Sequence, residues 1–122
     1  MNSYFCKHLY LPLVLLFGSL SPPAYSAPYL PLDCARASTP TETAICKDYA
    51  LGQDEARVAT LFSVLASLVT MGQRADLIDT QRQWTAVREA CGSNTVCISK
   101  TYEVRINELM QALNALEKRG PF

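Results

Sequence analysis

Histidine is all but missing from this 122-residue chain: its single copy, His8, sits in the N-terminal segment. That absence removes the commonest general base, proton shuttle and metal ligand from everything that follows. Closely spaced cysteine pairs are missing too, and with them the C-x-x-C signature shared by many zinc sites and thiol redox centres. No stretch sustains the apolar–polar alternation of a strand. A surplus of basic charge is also lacking, since 11 Lys and Arg balance 11 Asp and Glu. The chain therefore carries no electrostatic footprint for nucleic acid or for an anionic membrane.

What is present begins with an export signal. Lys7 precedes an apolar run from Leu9 to Leu20, followed by Pro22-Pro23 and the small residues Ala24 and Ser26. That run is too short to span a bilayer and has the layout of a cleaved signal peptide over 1–26. The expectation is a single domain over 27–122, periplasmic or secreted, with no stable membrane insertion once the signal is gone. Cys6 leaves with the signal. Cys34, Cys46, Cys91 and Cys97 remain, an even set that fits disulfides in an oxidising compartment. Removal of Lys7 leaves ten basic against eleven acidic residues, a formal charge of −1.

The remainder reads as helices. Pro28 and Pro31 keep the lead-in irregular. Thr39-Pro40-Thr41-Glu42 is a helix start with a cap, a proline at the first position and a capping-box glutamate, predicting a short helix to about Lys47. Asp48 opens a second helix to about Met71, with Leu51, Val58, Leu61, Phe62, Leu65, Leu68 and Val69 on one stripe and Gly72 as its end. A third helix runs from about Arg74 to Cys91 with Leu77, Gln81, Trp84 and Arg88 on one face. Gly92-Ser93-Asn94 breaks it, and a fourth helix from Thr95 to about Lys118 repeats Tyr102, Ile106, Leu109, Leu113 and Leu116. The economical fold is all-α: a small disulfide-stapled antiparallel bundle of one short helix and three longer ones.

Four cysteines allow three connectivities. In an unbroken helix Cys91 and Cys97 would lie about 9 Å apart along the axis, too far to bond. The break between them lets the chain double back, which favours the local pairs Cys91–Cys97 and Cys34–Cys46.

Several polar residues fall on inward-facing positions. Arg88 is costly to bury without a carboxylate, for which Glu42, Asp33 and Asp54 are the candidates. Arg105 lies beside the fourth helix's seam and could pair with Glu89 or Asp79. Glu42, Gln81, Trp84, Arg88, Tyr102 and Arg105 are read as one structural polar network that sets register. Residues 33–55 hold five carboxylates against Arg36 and Lys47, and Asp48, Asp54 and Glu55 are nominated as an exposed partner-binding patch. With no histidine after residue 26 and no free thiol expected there, catalysis has few parts to work with, and no enzymatic site, cofactor or metal is expected.

The pattern Asp33-Cys34, Thr39-Pro40, Glu42, Ile45-Cys46, Asp54, Trp84, Arg88, Cys91, Cys97, Tyr102, Arg105-Ile106 and Leu109 resembles the LprI-type lysozyme-inhibitor domain. The likeness covers residues 33–113. It implies a small exported bacterial domain, all-helical and disulfide-bonded, that inhibits lysozyme by protein–protein binding. The alternative is a periplasmic interaction module for some other envelope protein on the same scaffold.

Overall fold

Side-chain caps fix where each helix begins. The computed structural model describes residues 29–120, so the signal-peptide reading of 1–26 lies outside them. The lead-in makes a single 3₁₀ turn at Cys34–Arg36 and then meets the capping box before α1, Pro40–Lys47. There the Glu42 N–H donates to Thr39 Oγ1 at 3.0 Å, and the Thr39 N–H donates to the Glu42 carboxylate at 3.1 Å. Glu42 also receives the Ser38 N–H at 2.6 Å. These backbone donors, Ser38 first and Thr39 next, hold its carboxyl below the ordinary glutamate range.

Asp48 caps α2, Tyr49–Leu68, by accepting the Ala50 and Leu51 N–H groups. Asn94 caps α4, Thr95–Glu117, by accepting from the Cys97 N–H at 3.0 Å. Between them α3 covers Met71–Glu89. The corner between α2 and α3 differs from the sequence expectation: α2 stops at Leu68, and Gly72 lies inside the first turn of α3. The deciding signal is Thr70 with Gln73, whose side-chain carbonyl accepts the Thr70 N–H at 3.2 Å. That T-x-x-Q start outweighs a lone glycine as a stop. Leu68, expected on the buried stripe, is consequently exposed at the helix end. At the other corner Gly92 takes a φ of +55°, the left-handed turn that ends α3 as expected.

Consecutive long helices run antiparallel, so α2 and α4 run parallel and pack along each other. Tyr102 meets Glu55 at one end of that contact, and Leu116 lies near Leu65 at the other. Helix α3 runs back against them, with the Trp84 indole N–H donating to the Thr101 carbonyl of α4 at 3.0 Å. Helix α1 closes one end of the bundle, where the Thr41 hydroxyl donates to the Gly92 carbonyl at 2.9 Å. The core is Ile45, Leu51, Val58, Leu65, Trp84, Ile98, Tyr102, Ile106, Leu109 and Leu116. Among the described residues there is no strand, and no helix is long and apolar enough to cross a membrane.

The cysteines pair as Cys34–Cys46 and Cys91–Cys97, each with Cα atoms 5.6 Å apart. The first ties the lead-in to α1 and the second clasps the α3–α4 corner. Cystines of this kind fit an oxidising compartment. Loop entropy assigns about 3 kcal/mol to the longer ring and about 2 kcal/mol to the shorter. Replacing Cys34 and Cys46 together with serine is therefore expected to lower urea-unfolding stability more than replacing Cys91 and Cys97. Equal losses, or the reverse order, would show that ring length does not set their contributions.

Candidate functional site

Three helices bring polar side chains, two of them charged, to one buried point. On α2, Leu51, Glu55, Val58, Phe62 and Leu65 share the inward seam, and Glu55 is only 4 % exposed. The Arg88 guanidinium of α3 donates to Glu55 Oε2 at 2.8 Å, both side chains being 5 % exposed. Tyr102 of α4 donates its hydroxyl to the same oxygen at 2.6 Å. The lead-in completes the cage: the Tyr29 hydroxyl reaches Glu55 Oε1 at 2.8 Å and the Leu32 N–H reaches it at 3.1 Å. Glu55 thus accepts from four donors contributed by α3, α4 and the lead-in, the arrangement a buried carboxylate requires.

Arg88 is held through its two terminal nitrogens, while its Nε has no hydrogen-bond partner among the described residues. The same nitrogen that meets Glu55 is shared with the Tyr29 and Tyr102 oxygens, at 3.1 and 3.3 Å. Its second terminal nitrogen donates to Glu89 at 2.9 Å, and Glu89 in turn accepts from the Thr39 hydroxyl at 2.8 Å. The guanidinium lies 5.3 Å from the centre of the Trp84 ring, a cation–π distance. Burial works against the Arg88 charge, but the oxygens of Tyr29, Tyr102 and Glu55 outweigh it and keep the group protonated beyond its ordinary range. Burial first, and the Glu55 charge second, push both tyrosine hydroxyls well above the usual phenol range.

A second polar layer sits along the α3–α4 seam. Arg105 donates from Nε to Gln81 Oε1 at 2.8 Å, and from its terminal nitrogens to Glu108 and Thr80. Trp84, Arg88, Tyr102, Gln81 and Arg105 are thus all buried in polar contacts, in two layers where one network was expected. The expected ion pairs are replaced. Arg88 pairs with Glu55 and Glu89, because Glu55 shares the α2 seam that faces it. Arg105 pairs with its own-helix neighbour Glu108. Glu42 belongs to neither layer: its carboxylate is taken up in capping α1.

The nominated surface patch also changes. Glu55 leaves it, being enclosed in the cluster just described. Asp48 and Asp54 remain outside, and Asp48 is already engaged as the α2 cap. Between them stands a residue the charge pattern did not single out: Tyr49, 83 % exposed, at the corner pinned by Cys34–Cys46. It borders a shallow cleft with Asp48, Gly52 and Gln53. Burial raises the Asp54 carboxyl pKa most; Arg57 pulls it down, and the charge of Asp48 adds to the rise. The corner presents an exposed aromatic ring next to the Asp48 carboxylate, with Asp54 further along α2. Among the described residues no group of histidine, cysteine and carboxylate side chains is placed to hold a metal.

The buried cluster generates two expectations. Arg88→Met strands the Glu55 charge and should cost about 3–5 kcal/mol in urea unfolding, with Glu55→Gln in the same chain restoring part of it. Because Tyr29 and Tyr102 stay protonated in the fold while the unfolded chain's tyrosines ionise near pH 10, stability should fall as pH rises above about 10. A flat stability profile across that alkaline range would contradict the hydrogen-bonded phenols. No family model matches this chain, and neither a curated protein nor a solved structure does, so its function is read from this geometry and from the sequence resemblance.

Proposed function

We propose that this is an exported, non-catalytic binding protein of the bacterial envelope, and that it inhibits a lysozyme-like muramidase by covering it. The observation that carries the proposal is the Tyr49 corner: an aromatic ring 83 % exposed, next to Asp48 and with Asp54 further along α2, on backbone pinned by a disulfide and a helix cap. Tyrosine is among the residues that dominate protein interfaces, because a large rigid ring loses little entropy on contact. Carboxylates beside it complement the basic rim of a lysozyme-like cleft and speed the encounter. The resemblance to the lysozyme-inhibitor domain points to the same target. Periplasmic or secreted placement agrees with the two disulfides and with the signal-like leader.

A non-catalytic role is supported by how the reactive groups are engaged. The four cysteines of the described chain are all oxidised, and the buried Glu55 carboxylate and the two phenols are engaged with the Arg88 guanidinium and with one another.

The test is a cell-wall clearing assay with C-type lysozyme. Inhibition is expected at about micromolar protein. Tyr49→Ala should weaken it about tenfold or more, the range of an interface hot spot. Asp54→Asn should weaken it less and flatten its dependence on salt, while Asp48 is left in place because it caps α2. Acidification should erode inhibition early, since the raised Asp54 takes up its proton above the ordinary aspartate range. Undiminished lysozyme activity at about 100 µM protein would end the muramidase reading.

A further inference from the structure

An open trough of about 500 Å³ runs between α3 and α4, and it shares no residue with the Tyr49 corner. The Trp84 ring forms its floor, Val87 stands on the α3 wall, and Val96, Lys100 and Val104 follow one another along α4. The three valines are 59 %, 63 % and 56 % exposed, which is unusual for β-branched side chains gathered in one place. Their neighbours in the core are already satisfied, so nothing inside the bundle needs them.

The polar groups of the trough share one character. The Trp84 N–H is taken by the Thr101 carbonyl, and the Thr101 hydroxyl donates back to the Ile98 carbonyl. Asn94, at one end, uses its side-chain oxygen to cap α4, which leaves its amide hydrogens for solvent. Lys100 is the trough's single charged lining residue and makes no ion pair among the described residues. What the trough still offers is therefore apolar surface plus hydrogen-bond donors, one of them cationic. Its complement is an apolar group carrying an anion.

The trough's shape selects the kind of partner. Small-ligand sites enclose most of the ligand's surface. This one is open along its length, and a single acyl chain lying in it would stay half in water. A helix keeps its polar face in water by design and buries only a stripe. From Val96 to Val104 the α4 wall spans about 12 Å, two helical turns, enough to seat apolar residues one turn apart.

We propose that the α3–α4 trough is a docking site for an acidic amphipathic helix of a partner protein. Apolar side chains of the partner pack on Trp84, Val87 and Val104, and a carboxylate one turn away meets the Lys100 ammonium. This goes beyond the muramidase reading, uses different residues, and can fail or hold without it.

Trp84 is the chain's single tryptophan, so its emission reports occupancy directly. The probes are two designed helical peptides with leucines one turn apart, flanked in one by glutamates and in the other by lysines. A saturable change in Trp84 emission is expected with the glutamate peptide, and at least about tenfold weaker binding with the lysine peptide, one close charge pair being worth that much. Lys100→Glu should reverse the preference, and Val104→Asp should remove both responses while circular dichroism stays unchanged, since both side chains are exposed. The proposal is overturned by no saturable response, by equal response to both peptides, or by a preference that Lys100→Glu leaves intact. A response to laurate in place of the peptides would assign the trough to lipid and also overturn it. Self-association in sedimentation velocity that Val104→Asp abolishes would assign the trough to a second copy of the chain and overturn the proposal as well.

Discussion

The Glu55–Arg88 pair is the constraint around which this bundle is assembled. Two charges removed from water are tolerable only if each keeps its partner and most of its remaining hydrogen bonds. Meeting that condition takes α2, α3, α4 and the lead-in together: the carboxylate comes from the first, the guanidinium from the second, a phenol from the third and a phenol with a backbone N–H from the last. A slip of one residue in any helix would turn one of these groups away and leave another unpaired. An apolar seam of leucines tolerates such slips; this one does not. The pair therefore specifies register, whatever its net contribution to stability.

The disulfides act on the two segments that the helices alone could not hold. Tyr29 and Leu32 lie on an irregular segment whose prolines bar it from helix, and its contacts would fray without an anchor. Cys34–Cys46 provides the anchor two residues beyond Leu32. At the opposite side, Cys91–Cys97 fixes the corner where Thr41 reaches the carbonyls of Glu89 and Gly92, and Glu89 is also the second partner of Arg88. Each staple thus stands next to one wall of the charged cluster.

Caps and cysteines are legible in the sequence because they act over a few residues. Thr39 with Glu42, Asp48 and Asn94 start their helices at the expected places, and both cystines join the local pairs. The α2–α3 corner is harder to read because Gly72 is a conspicuous stop and Thr70-x-x-Gln73 an inconspicuous start. Glu55 departs from expectation for a similar reason. Its charge argues for the surface, although its position, four after Leu51 and three before Val58, continues the buried stripe. Spacing is the better guide than polarity there, as it is for Gln81, Arg88 and Arg105. No local pattern could show that Arg88 meets Glu55, since 33 residues and a helix reversal separate them.

The exterior of the bundle has two faces of unlike physics. The Tyr49 corner offers an exposed aromatic ring with half-buried carboxylates, so attraction to a basic partner there is screened by salt and weakens as salt rises. The α3–α4 trough offers mostly apolar contact with a single cation, and apolar contact holds or strengthens in salt. The same bundle keeps both faces rigid, so neither has to be ordered on binding, and that removes a cost flexible surfaces carry. One partner could not satisfy both, because one face asks for positive charge and the other for negative.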